Sequence, residues 1–262
     1  MTRRRRNPLG VVILAAIGLA FFALPLVGLL TRAPWTDLPH LLTSEVVLDA
    51  LRLSLISSLI ATSLSALLGV PLALMLARAE FPGRSLVRGL VLLPLVLPPV
   101  VAGTALLFTL GRRGVIGQPL NEATGLVLPF SIWGVVIAAT LVAMPFLVIT
   151  VESAVRNLDP KFERAATTLG AGRWEVLRRV TLPMIGPSLA AGLLLAWARA
   201  FGEFGATITF AGNLQGRTQT LPLAVFVALE QDRDTAVAIS LVMVAISFGV
   251  LVLLRDRWWR AR

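Results

Sequence analysis

Arg199 and Glu203 stand four residues apart inside an otherwise apolar run, and Asn157 to Pro183 packs charged and small residues between two other apolar runs. On a helix the Arg/Glu pair would share one face. At bilayer depth an isolated charge costs roughly 2.5–3.5 kcal/mol, so each of the two stabilises the other. The chemistry within reach is recognition and gating. Catalysis lacks raw material: there is no cysteine, the one histidine is His40, and the one lysine, Lys161, follows Pro160. Zinc sites, disulfides and thiol nucleophiles are excluded, as is a Gly-Lys-Ser/Thr phosphate loop. With His40 in a loop and no acidic pair at depth, no constellation for an intramembrane enzyme is available.

The polar stretch reads as a helical elbow. Asp159 can accept an orphan N–H while Pro160 loses nothing at the first helical position. Phe162, Ala165, Ala166 and Leu169 fall at i, i+3, i+4 and i+7, a narrow apolar stripe with a small-residue centre suited to another protein's groove. Gly170 and Gly172 permit the turn, and Arg173 to Val180 reads as a second short helix returning to the membrane. The other reading is an amphipathic helix lying on lipid headgroups through Arg164, Arg173, Arg178 and Arg179. Residue types alone leave both open.

The elements that must position these residues are apolar. With 56% hydrophobic residues and a mean hydropathy of +0.84, 262 residues cannot hide their apolar surface in one water-soluble core. An all-α polytopic membrane protein is expected. Six segments are long enough to cross, near 8–31, 53–77, 86–110, 128–150, 187–210 and 235–254. The first follows Arg3 to Arg6 and is longer than a signal-peptide core with no A-x-A pattern behind it, so it reads as a retained anchor. The net charge of +10 suggests nucleic acid only until the basic residues are placed. Seventeen of the 24 Lys and Arg fall on the side of the two termini and the elbow, six fall opposite, and Arg199 is inside a span. Both termini and the elbow are therefore expected in the cytoplasm.

Within the spans, Pro94, Pro98 and Pro99 remove backbone donors from one segment. They imply either a packing kink or a helix lining a path that opens and shuts. Gly202, Gly205 and Ala206 would let another helix approach the Arg199/Glu203 pair, which is either an internal ion pair or a gate between two copies. Ser54, Ser57, Ser58, Thr62, Ser63 and Ser65 read as packing residues. The outer loops, the longest after the first and fifth spans, are too small to be a substrate-binding domain. A stand-alone secondary transporter would carry ionisable groups in several spans and often an internal repeat; one pair and no obvious repeat are present.

Ala165-Ala166, then Gly170, then Val180, Leu182 and Pro183 nine residues on, resemble the cytoplasmic loop of permease subunits in ATP-driven, binding-protein-dependent importers. In that family the loop inserts into a cleft on the nucleotide-binding subunit. The resemblance implies an ATPase-coupling surface at Phe162, Glu163, Arg164, Ala165, Ala166, Leu169, Gly170, Trp174 and Pro183. Arg164 stands where the family usually has glutamate, with Glu163 just before it. Leu93 to Gly103, Ala198 to Asn213 and Thr218 to Leu223 resemble the molybdate permease group more than the sulfate and thiosulfate group; tungstate is nearly the same ion chemically.

The likeness runs from about residue 45 to 250. It implies a type I ABC importer permease fold with six transmembrane helices in a prokaryotic inner membrane, coupling helices at about 160–181, and a five-helix transport domain over 48–255. Residues 1–47 would add the first helix and its outer loop, and 256–262 a cytoplasmic tail. Implied partners are a second copy of the chain, two P-loop ATPase subunits that carry ATP and Mg, an external oxyanion-binding protein, lipid, and molybdate as cargo. No cofactor of its own and no nucleic acid is implied. The gate and translocation path would fall at Pro94, Pro98, Pro99, Gly103, Arg199, Gly202, Glu203, Gly205 and Thr207. A dianion path should not hold unpaired carboxylates, which favours a structural gate role for Glu203 over contact with the ion.

Overall fold

The computed structural model describes residues 8–259, with side chains through Val252. Arg3 to Arg6 lie outside the described residues, as do residues 260–262. In chain order the helices are α1 (Leu9–Thr31), α2 (Leu38–Leu42), α3 (Glu45–Arg78), α4 (Arg84–Val96), α5 (Pro99–Leu110), α6 (Gly117–Thr124) and α7 (Ile132–Arg156). There follow α8 (Pro160–Thr168), α9 (Arg173–Val176), a π-helical turn (Leu177–Thr181), α10 (Leu182–Met184), α11 (Gly186–Phe201), α12 (Gly205–Phe210), α13 (Leu221–Gln231) and α14 (Arg233–Trp259). No strand occurs among the described residues. Four helices are long and apolar enough to cross a membrane, or up to six segments if each of two bent helix pairs is one span.

The core forms around α7, because its neighbours offer small residues to it. Ala61, Ala73 and Leu76 of α3 and Ala196 and Ala200 of α11 bury against Ala139, Ala143, Leu147, Val148 and Val151 of α7. A Cβ on Gly69 would lie 3.1 Å from Met144 Cγ, and one on Gly192 would lie 3.0 Å from Leu147 Cδ1. Close approach of this kind substitutes packing for a hydrophobic drive that lipid does not supply. α3 has 34 residues, about 51 Å at helical rise, well beyond the ~30 Å hydrocarbon core. It begins eight residues before the expected segment 53–77 because Glu45 to Arg52 pack on α13 and α14 through Val47 and Ala50.

Three expectations are corrected. The segment 86–110 is not one kinked helix: α4 and α5 meet at 118° across Leu97 and Pro98. Pro98 and Pro99 together remove two donors and force Leu97 to be extended, so no helix continues through them. The two halves lie against different stretches of α7: Arg88 of α4 pairs with Glu152, while Leu106 and Leu110 of α5 pack with Ala138 and Val142. Glu152 lies about 15 Å along the α7 axis from Val142 and about 21 Å from Ala138. The segment 187–210 is interrupted at Gly202 to Phe204, giving α11 and then α12. The expected outer loop after residue 210 folds back as α13, whose Leu221, Leu223, Ala224 and Ala228 are buried beside α3 and α14.

Candidate functional site

The elbow is built by local sequence chemistry. The Asp159 carboxylate accepts the Lys161 N–H at 2.9 Å and pairs with the Lys161 ammonium at 2.8 Å, starting α8. Those two contacts with Lys161 hold the Asp159 carboxyl below the ordinary range for aspartate. α8 ends in a Schellman motif: Ala171 N–H donates to Ala166 O at 3.1 Å and Gly170 N–H to Thr167 O at 3.0 Å. Gly170 carries φ +90° to close it. The spacing from Ala166 to Gly170 is the spacing from the last full turn to its left-handed cap.

Phe162, Ala165, Leu169, Arg164, Trp174 and Pro183 are exposed, Leu169 at 89% and Trp174 at 73%. Ala166 is half-buried. The apolar stripe thus faces away from the rest of the chain. Glu163 points the other way. Its Oε1 pairs with the Arg78 guanidinium at the end of α3 and accepts the Thr181 hydroxyl at 2.5 Å from the π-helical turn. Glu163, one residue before Arg164, thus makes its ion pair within the chain. Arg84 donates to Leu76 O at 2.6 and 3.0 Å, covering carbonyls at the end of α3. Arg156 Nε lies 3.3 Å from Glu152 Oε1, the oxygen that also takes Arg88.

Deeper in the fold, two stretches distant in sequence meet. Pro99 Cβ would lie 2.8 Å from a Cβ on Gly205, and a Cβ on Gly103 would lie 2.7 Å from Ala206 O. α5 thus rests on α12 backbone to backbone. Glu203, between α11 and α12, is 2% exposed. Its Oε1 accepts the Ala206 N–H at 2.8 Å, satisfying a donor at the start of α12, and its Oε2 lies 2.5 Å from Arg199 Nη1. Thr207 is fully buried and its hydroxyl has no partner among the described residues. Gly202 differs from the other glycines here: a Cβ would meet only Ala198 O at 3.5 Å. It lies on an apolar groove of about 460 Å³ with Phe204, Phe226 and Met243. Pro94 sits half-buried inside α4.

The binding-protein-dependent transport system inner membrane component family matches residues 69–261. The chain belongs to this family. The molybdenum transport system permease protein ModB of Mycobacterium tuberculosis is 46% identical over 245 residues, covering 94% of this chain and 92% of that one. ModB of Escherichia coli K12 is 42% identical over 210 residues, covering 80% of this chain and 92% of the relative. A bacterial ABC transporter that imports the acidic polysaccharide alginate superposes with a TM-score of 0.74 at 21% identity, over 96% of this chain and 95% of the other. The expected type I importer permease fold is thus the fold of this membrane permease subunit.

Residue patterns missed Arg78, Ser54 and Thr181. Ser54 sits among serines whose spacing reads as packing, yet its Oγ accepts the Leu221 N–H at 2.7 Å across 167 residues of chain. Only the fold places a donor there. Thr181 had a signal, since it sits inside the Val180/Leu182/Pro183 pattern, but a hydroxyl in a membrane helix ordinarily bonds its own backbone.

Proposed function

We propose that the chain is the membrane half of an ATP-driven molybdate importer, working as a pair of copies with one ATPase docked under each and an external binding protein delivering the ion. The chain performs no catalysis and holds no cofactor; ATP and Mg belong to the ATPase. The observation that carries this reading is the elbow: a rigidly capped α8 turns its apolar stripe, Leu169 and Trp174 outward, which is what a helix seated in a partner's cleft requires. The likeness to molybdenum permeases over nearly the whole chain supports the cargo.

Closure of the ATPases would draw the two elbows together and bias a two-state membrane element. That element is the α5/α12 contact with the Arg199/Glu203 pair beside it. The two short helices meet closely at glycine, Gly103 on Ala206 and Gly205 on Pro99, with Leu106 and Leu110 packed in one cluster with Phe210, and both are hinged, at Leu97 to Pro98 and at Gly202 to Phe204. Glu203 is occupied by Arg199 and Ala206 N–H, so a dianion meets no free carboxylate there. The excess of Lys and Arg on the elbow side supports cytoplasmic termini.

The test is uptake by vesicles holding the permease, its ATPase and its binding protein. ATP-dependent molybdate uptake competed by tungstate and hardly by sulfate is expected. Equal competition by sulfate overturns the cargo, and uptake without ATP overturns the importer class.

A further inference from the structure

The contacts of Glu163 carry an inference that rests on the importer reading and deepens it. Three chain segments end at one point. Arg78 is the last residue of α3, Glu163 lies on the inner face of α8, and Thr181 closes the π-helical turn through which the chain returns to the membrane. Thr181 is fully buried. Its hydroxyl donates to Glu163 Oε1 at 2.5 Å and accepts from Arg78 Nη2 at 3.2 Å, while the Arg78 guanidinium also pairs with that same carboxylate. Each of the three polar groups touches the other two. A hydroxyl, one O–H donor with acceptor lone pairs, can serve a carboxylate and a guanidinium at once.

We propose that Arg78, Glu163 and Thr181 form the joint through which movement of α8 is passed to the membrane helices, Glu163 acting as an internal strut and not as a contact to the ATPase. The π turn supplies one reason for the location. A widened turn is a local weakness in a helix and tends to occur where function needs one, and here the triad clamps it. α3 supplies the other. It runs unbroken from Arg78 to Ser54, about 36 Å at helical rise, and there Ser54 holds the first N–H of α13. Phe201, at the end of α11 and two residues before Glu203, packs in the same cluster as Leu221. One rod therefore joins the elbow to the hinge beside the Arg199/Glu203 pair. Arg78, Glu163 and Thr181 are positioning residues: none need touch ion or nucleotide.

The experiment measures molybdate transported per ATP hydrolysed by the full complex in proteoliposomes. Thr181→Val and Glu163→Gln should each lower the ratio by roughly tenfold, the scale of one charge-assisted hydrogen bond. Thr181→Ser should keep the ratio of the unsubstituted complex, and Arg78→Glu combined with Glu163→Arg should recover most of what either loses alone. Glu163→Gln is isosteric and lies at a side chain 22% exposed, not fully buried like Thr181, so it reports even where Thr181→Val fails to assemble. Unchanged ratios in both variants, or Thr181→Ser falling as far as Thr181→Val, overturn the joint while leaving the importer standing. Absence of ATP-dependent uptake in the unsubstituted complex overturns the importer reading and the joint with it.

Discussion

Gly103 and Ala206 touch backbone to backbone: a Cβ on Gly103 would lie 2.7 Å from the Ala206 carbonyl oxygen and 2.9 Å from its Cα. Neither atom can rotate away. Gly103→Ala must therefore push α5 off α12, an overpacking that costs about 1–3 kcal/mol. Gly202→Ala meets nothing closer than Ala198 O at 3.5 Å. Thermal unfolding of the purified complex in detergent should show a lowered Tm for Gly103→Ala and an unchanged one for Gly202→Ala.

Gly170 tests conformation where Gly103 tests space. No atom lies within 4 Å of a Cβ built on it, but its φ is +90°, a region that costs an ordinary L-residue roughly 1–2 kcal/mol. Asparagine tolerates left-handed backbone better than alanine or valine does. Uptake should accordingly fall in the order Gly, Asn, Ala, Val, with membrane insertion intact throughout. A bulky but conformationally tolerated residue performing worse than alanine would mean that the turn is crowded by a partner.

What could be read before the fold was known divides along a physical line. Spans were legible because about 20 apolar residues in a row have one solution in lipid, and the elbow was legible because Asp159-Pro160 and Gly170 act within a few residues of themselves. The buried helix α13 was not legible. Its 11 residues are too short to span, and its first N–H is satisfied by Ser54 of another helix. The Pro98-Pro99 break was visible as lost donors, yet its angle depends on α5 finding Gly205 and Ala206. Glu163 turned inward for the same reason: Arg78 and Thr181 come from other segments.

Asp159 gives a pH signature to the start of α8. Lys161, through its ammonium and its N–H, holds the folded carboxyl below the ordinary aspartate value of 3.8. The folded chain thus keeps this carboxylate charged to lower pH than the unfolded chain does, and its contribution is complete above the unfolded value. It is lost as pH falls below 3.8 through the depressed folded value. Hydrogen exchange over residues 157–169, corrected for intrinsic rates, should show fraying of this turn on acidification across that window. Asp159→Asn keeps an acceptor for the N–H and should remove the pH dependence while leaving the turn formed at neutral pH.

Ser54 offers a hydrogen bond whose loss cannot be repaired from solvent. It is 1% exposed and accepts the Leu221 N–H. Ser54→Ala strands that buried donor at a cost of about 1–3 kcal/mol. Ser57→Ala, whose hydroxyl reaches only Ser54 O at 3.4 Å in its own helix, should be nearly silent. Comparing the two by thermal unfolding separates a tether between helices from the packing role that serines in a membrane helix usually have.

Glu203 is held by two unlike partners, and they can be removed separately. Glu203→Gln keeps a carbonyl oxygen for the Ala206 N–H but leaves the Arg199 guanidinium, 27% exposed, without its counter-charge. Breaking a buried pair by removing one partner costs about 3–5 kcal/mol, whereas replacing both by apolar groups of similar volume is often close to neutral. Glu203→Gln should therefore destabilise the complex strongly, Glu203→Ala more so because α12 also loses its first bond, and Glu203→Gln with Arg199→Met less than Glu203→Gln alone. If the pair also holds a gate shut, the double variant will fold and yet leak. Molybdate efflux from loaded vesicles without ATP measures that directly, and a tight, stable double variant would confine the pair to stability.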